Sequence, residues 1–215
     1  MFHRQLVTAP NSDDDEEMTR TLQVVAVSGS LNHPSKTTVL VEEIVAALGR
    51  ALPIETHLIT LTQLGPSLAG ALTRAELPRA AEDELQRIEA ADILVVASPV
   101  YRASFTGLFK HLFDFVDQYA LVDTPVLLAA SGGSERHALI IEHQFRPLFA
   151  FFQALTLPVG IYAHDSDFVD YRLTNESLRA RIDKAVAKAV PVIRSNVEEK
   201  DEIERSLEGE VVSAQ

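Results

Sequence analysis

Two aliphatic runs, Leu22-Gln-Val-Val-Ala-Val-Ser28 and Asp92-Ile-Leu-Val-Val-Ala-Ser98, constrain the fold of this chain more than any other feature. Neither alternates apolar with polar. Strands of that kind are covered on both faces and belong to parallel sheets flanked by helices. The rest of the chain alternates to match. Strands are expected at 22–28, 54–61, 92–98, 124–130 and 157–163, and helices at 36–48, 78–91, 105–118, 135–155 and 176–193, with 62–78 irregular. Strand followed by helix, repeated, gives an α/β fold with a parallel sheet.

Right-handed crossovers leave few ways to wind such a chain, and a flavodoxin-like, doubly wound five-stranded parallel sheet of order 2-1-3-4-5 suits this length. No internal repeat or linker divides residues 21–194, which read as one domain. Residues 1–20, with the run Asp13-Asp14-Asp15-Glu16-Glu17, and residues 195–215 read as acidic tails. The net charge of −12 argues against a nucleic-acid partner, which needs a basic face. The absence of cysteine excludes disulfides, thiolate metal sites and cysteine nucleophiles. No stretch reaches the roughly 18 uninterrupted apolar residues of a membrane span. An acidic start is the opposite of a secretory leader, so a cytoplasmic protein is expected.

In this topology ligands bind beyond the carboxyl ends of the strands, which directs attention to loops 29–37, 99–105, 131–136 and 164–173. The first, Ser28-Gly29-Ser30-Leu31-Asn32-His33-Pro34-Ser35-Lys36-Thr37-Thr38, gathers hydroxyls and a lysine where the N–H groups of a helix start are exposed. That is a phosphate cradle, although Ser35 alone would serve as an ordinary helix cap. In Ser98-Pro99-Val100-Tyr101-Arg102-Ala103-Ser104, proline fixes the exit from the third strand, and Tyr101 and Arg102 add an aromatic wall and a cation suited to a flat heteroaromatic ring. Ser131-Gly132-Gly133-Ser134 lets backbone approach a planar ligand closely.

Other phosphate-binding motifs fail here. A Walker A loop needs four residues between its glycine and Gly-Lys-Ser/Thr, whereas Gly29 lies too far from Ser35-Lys36-Thr37 and a serine replaces the second glycine. The carboxylates of a receiver domain are missing after the first strand, and so is the dinucleotide fingerprint G-x-G-x-x-G. The histidines lie mostly singly, and the spacing of His137 and His143 does not suit two metal ligands on one helix face.

Taken together, Gly29 through Thr38, Ser98 through Arg102, and Gly132-Gly133 with His137 resemble the NADPH-dependent FMN reductase family, most closely the reductases that supply reduced FMN to two-component alkanesulfonate and methanesulfonate monooxygenases. The likeness runs from about residue 22 to 190. It implies FMN and NADPH as cofactors, the FMN phosphate held by Ser30, Ser35, Lys36, Thr37 and Thr38, and the ring lying against Pro99, Val100, Tyr101, Arg102, Ser104, Ser131, Gly132 and Gly133. Many members carry arginine where Lys36 stands, which keeps the charge but gives up bidentate phosphate geometry. It also implies a reduced-FMN-dependent monooxygenase as partner, in sulfonate sulfur assimilation.

Hydride transfer between nicotinamide and flavin is the cofactors' own chemistry, so no catalytic acid, base or metal is assigned. One alternative is a reductase that retains its flavin and reduces quinones or azo compounds. Another is a non-enzymatic FMN electron carrier, which would enclose its flavin between aromatic rings, and only Tyr101 is an evident stacker. Eight phenylalanines fall between 105 and 152, and those on the 135–155 helix cover more than one stripe. That surplus points to a homodimer or homotetramer through 137–155, with Phe149 and Phe152 in the seam. Pro147 lies deep inside the same helix and should force a kink or a π-bulge, and the resemblance puts the inserted residue of such a bulge at His143.

Overall fold

The computed structural model describes residues 20–213, and the N-terminal tail expected at 1–20 lies almost wholly outside them. Strands β1 (Leu22–Ser28), β2 (Ile54–Thr60), β3 (Ile93–Pro99), β4 (Pro125–Gly132), β5 (Leu155–Thr156) and β6 (Ile161–His164) form one sheet. Its order is β2-β1-β3-β4-β5, with β6 also on β4, and every pairing is parallel. Side chains alternate between its two faces. Val25, Val27, Leu94, Val96 and Leu128 pack beneath α2 (Leu61–Leu68), α3 (Arg79–Glu89), α4 (Gly107–Phe115) and α5 (Arg146–Phe151). Val24, Ala26, Ile93, Val95 and Leu127 pack beneath α1 (Lys36–Gly49) and α6 (Glu176–Ser213). This is the doubly wound arrangement expected, and it aims the carboxyl ends of β1, β3, β4 and β6 at one edge. No helix among the described residues is long and apolar enough to cross a membrane.

Four expectations about secondary-structure elements need correction. The irregular stretch 62–78 contains α2 and a short 3₁₀ turn, Arg74–Glu76. Leu61, Leu64 and Leu68 have helical spacing and are buried, a signal that Gly65-Pro66 obscured. The helix expected over 135–155 is instead a 3₁₀ turn (Glu135–His137), a π-helical turn (Ile141–Phe145) and the short α5. The π turn, of the kind expected from Pro147, ends two residues before that proline, which cannot donate a backbone N–H, and it contains His143, the position the resemblance implied. The fifth strand is split into β5 and β6 around Pro158, which has no N–H for the ladder, and Gly160. A Cβ on Gly160 would lie 2.6 Å from Ile141 of the π turn.

The last correction concerns the C-terminal end. α6 continues to Ser213 rather than giving way to a tail at 195. Ala189, Ile193 and Val197 keep one face buried. The Asn196 amide donates to the Asp123 carbonyl at 2.9 Å, and Arg20 bridges Asp92 to Asp201 on this helix.

The phenylalanines settle mostly inside the molecule. Phe109, Phe113, Phe145, Phe149 and Phe152 are buried in one cluster, so the surplus attributed to a partner is largely absorbed by the protomer's own core. Phe149 and Phe152 therefore cannot form the seam. On the 137–155 segment Leu139, at 62% exposure, and Phe151, at 64%, stand out most, with Leu155 exposed to a lesser degree.

Candidate functional site

The cleft at the carboxyl edge of the sheet is built first by close packing beneath it. Gly29 follows β1 directly, and its N–H donates to the Ala97 carbonyl at 2.7 Å. Its φ is not positive, so it is not there to relieve a left-handed turn. A Cβ on it would lie 2.8 Å from Phe109, 2.9 Å from the Ser98 Cβ and 3.0 Å from the Ala97 carbonyl oxygen. Gly29→Ala is therefore expected to cost about 1–3 kcal/mol through overpacking and to lower the thermal midpoint by several degrees. Calorimetry checks this, and an unchanged midpoint contradicts it.

The cleft has a volume of about 540 Å³ and is lined by residues from the loops after β1, β3, β4 and β6. Ten of the expected site residues line it: Ser30, Ser35, Lys36, Thr37, Pro99, Val100, Tyr101, Ser131, Gly132 and Gly133. Its size is in the ordinary range for a small-molecule site, ~300–1,000 Å³.

At one end lies the start of α1, where the first N–H groups of the helix lack intrahelical partners. Ser35 caps it, its hydroxyl accepting from the Thr38 N–H at 3.2 Å. The Thr37 hydroxyl meets Ser131 across the cleft floor at 2.7 Å, joining the α1 and β4 loops. Lys36 extends its ammonium to Asp165, donating to both the backbone carbonyl and Oδ1 at 3.1 Å.

The other end is a wall formed by Pro99, Val100 and Tyr101. The Val100 N–H donates to the Ser131 carbonyl at 2.8 Å, and Tyr101 and Ser104 exchange backbone hydrogen bonds around a tight turn. Its central residues, Arg102 and Ala103, have φ of 51° and 66°, strained conformations for side-chain-bearing residues and of a kind that clusters at functional sites. The amide of Asn32 donates to the Tyr101 hydroxyl at 3.2 Å. A Cβ on Gly132 would lie 2.6 Å from the Tyr162 hydroxyl, which donates to the Ser134 carbonyl at 2.6 Å. Burial pushes the Tyr162 phenol above its ordinary pKa, so it stays protonated as that donor.

Three expected site residues do not line the cleft. Thr38 turns toward β1, its hydroxyl 2.8 Å from that of Ser28. Arg102 sits exposed at the turn tip. The Ser104 hydroxyl donates to Gln144 at 3.1 Å, tying the β3 loop to the π-helical turn. Conversely, Asn32, His33, Pro34, Asp165 and Tyr171 line the cleft without having been singled out. Tyr171 sits on the turn between β7 (Phe168–Val169) and β8 (Arg172–Leu173), where Asp170 and Tyr171 also have positive φ. Two half-exposed tyrosines thus flank the cleft mouth, rather than Tyr101 alone.

Hydroxyls and an ammonium beside a helix start, next to a slot walled by tyrosine and floored by glycine, fit a phosphate joined to a flat ring. Comparison with known proteins agrees with that chemistry. The model of the family described as NADPH-dependent FMN reductase matches residues 22–168. The chain is similar to an NADH-dependent FMN reductase, SfnF, of Pseudomonas fluorescens, with 56% identity covering 84% of this chain and 96% of that one. It is similar also to an FMN reductase (NADPH) of Pseudomonas aeruginosa, at 53% identity over 81% and 94% of the two chains. Among solved structures, an oxidoreductase from Corynebacterium diphtheriae superposes with a TM-score of 0.71 at 32% identity, covering 81% of this chain and 98% of that one.

Proposed function

The chain belongs to the NADPH-dependent FMN reductase family, and from that premise we propose a free-standing FMN reductase that hands its reduced flavin to a partner monooxygenase, in the assimilation of sulfur from sulfonates. The observation that carries this reading is an open cleft with a phosphate-binding character at one end and a ring slot at the other. When bound, FMN supplies the hydride-accepting chemistry and the nicotinamide supplies the hydride.

The chain's own residues bind and orient. Lys36, with the hydroxyls of Ser30, Ser35 and Thr37 and the start of α1, takes the phosphate. Pro99, Val100 and Tyr101 hold one side of the ring, and the missing side chains of Gly132 and Gly133 let the ring approach the backbone. Thr38 and Ser104 act from beneath, keeping the two loops in register through Ser28 and Gln144. Arg102 stands at the cleft rim, free to meet an incoming anionic nicotinamide dinucleotide.

Support for release rather than retention comes from the exposure of Tyr101 and Tyr171, at 43% and 46%, which leaves the mouth of the slot open to solvent. The relatives above are named for NADH in one case and NADPH in the other, so both nicotinamides belong in the assay. The setting is the cytoplasm, and the protein works as a homodimer or homotetramer joined through 137–155, with Leu139 and Phe151 as the most exposed apolar residues available for the seam.

Steady-state turnover tests the reading. Purified protein should oxidise NADPH or NADH only when FMN is added, and should deliver reduced FMN to an acceptor in a separate compartment. Undetectable FMN-dependent oxidation of either nicotinamide overturns it. Flavin that stays bound in equal amount to protein, with rapid quinone turnover, favours the flavin-retaining reductase.

A further inference from the structure

We infer that the Asp165 carboxylate sets how tightly the cleft holds a phosphorylated flavin, keeping FMN exchangeable by engaging the ammonium of Lys36; this deepens the function proposed above and rests on it.

The pair is a built feature. Lys36 donates to two oxygens of Asp165, the backbone carbonyl and Oδ1, each at 3.1 Å, across 129 residues of sequence. Asp165 opens a 3₁₀ turn, Asp165–Asp167, that is anchored by hydrogen bonds at His164 and Asp167. The Ser166 N–H donates to His164 Nδ1 at 3.1 Å. The His164 N–H donates to Asp167 Oδ2 at 2.7 Å, and the Asn175 amide donates to Asp167 Oδ1 at 2.5 Å. Asp167 is itself buried, which anchors the turn that presents Asp165, while the Asp165 side chain stays about half exposed at the cleft. The other carboxylate oxygen faces the glycine side of the cleft, where a Cβ on Gly133 would lie 3.1 Å from it.

Of the residues that line the cleft, only Lys36 and Asp165 carry a formal charge when His33 is neutral. A cleft whose one ammonium is already met by a carboxylate carries no net positive charge. An incoming phosphate gains from the helix start and the hydroxyls, but shares its cation and lies beside a like charge. A protein that keeps its flavin permanently has no use for such a group. One that must release it does. Asp165 in this view is a positioning and tuning residue that acts through Lys36 and through its own charge, and it takes no part in hydride transfer.

Flavin titrations followed by fluorescence quenching test this on the full-length protein, with FMN and riboflavin as paired probes. Asp165→Asn keeps a carbonyl for Lys36 and removes the charge. It should bind FMN roughly five- to ten-fold more tightly and leave riboflavin unchanged, and the gain should shrink at high salt because the pair is partly solvent-exposed. Asp165→Ala should act in the same direction, and matching thermal midpoints show both variants folded. Weaker FMN binding in Asp165→Asn overturns the inference, because Asp165 would then serve Lys36 by orienting it. So does an unchanged FMN affinity, or an equal gain for riboflavin. If Lys36→Ala still loses FMN selectively in any of those cases, the phosphate site stands without the tuning. If neither substitution separates FMN from riboflavin, the functional reading itself fails.

Discussion

Lys36→Ala should weaken FMN about ten- to a hundred-fold while leaving riboflavin close to its wild-type affinity. A charge-assisted contact contributes roughly 1.5–3 kcal/mol, which gives that range. Two features of the cleft bear on where in the range the loss falls. Lys36 is about one-third exposed, and solvent screening pulls the value down. Its removal also leaves Asp165 unpaired beside the phosphate, which pushes it up. The helix start and the Ser30 and Ser35 hydroxyls remain in the variant, so binding is reduced rather than abolished. Fluorescence titration with both flavins provides the check. Equal losses for FMN and riboflavin would mean that Lys36 does not meet the phosphate.

What the sequence revealed of this site follows from where its parts lie along the chain. The cradle occupies consecutive residues 30–37, and the wall 99–101, so each could be read as a local pattern of residue types following a strand. Asp165 and Tyr171 come from the far end of the chain, on a turn whose conformation is set by hydrogen bonds among His164, Asp167 and Asn175. Nothing local marks either residue as facing Lys36. The same reasoning explains the fold. β1 and β3 were legible because strands buried on both faces leave an unbroken aliphatic run. α2 was not, because Pro66 sits inside an eight-residue helix whose burial, through Leu61, Leu64 and Leu68, outweighs local propensity. Thr38, Arg102 and Ser104 show the limit of a motif. It brings hydroxyls and a cation to a loop, but whether each side chain turns into the cleft depends on partners such as Ser28 and Gln144.

Phe149→Ala should be among the most destabilising single changes in the molecule, and its neighbour Phe151 among the mildest. The sequence treats the two alike, as apolar residues of one segment, but their environments are opposite. Phe149 is fully buried, its ring packed edge-on to Phe113 with centroids 5.0 Å apart and near Phe152 at 6.4 Å. Phe113 in turn packs on Phe109 at 4.9 Å, directly beneath Gly29 and the cleft. Truncating such a ring costs about 3–5 kcal/mol, a large share of the roughly 5–15 kcal/mol that holds a domain folded. Urea unfolding should show a lower midpoint at an unchanged slope. A loss below about 1 kcal/mol would mean that the cluster relaxes around the cavity and is not the rigid support this packing implies. Phe151, at 64% exposure, should cost the protomer no more than about 0.5 kcal/mol when truncated. That contrast separates the core from the proposed seam. Phe151→Asp combined with Leu139→Asp should lower the sedimenting mass while the protomer stays folded and still binds FMN. Wild-type protein that sediments as a monomer at micromolar concentration removes the seam, and leaves Leu139 and Phe151 as solitary surface residues of the kind every soluble domain carries.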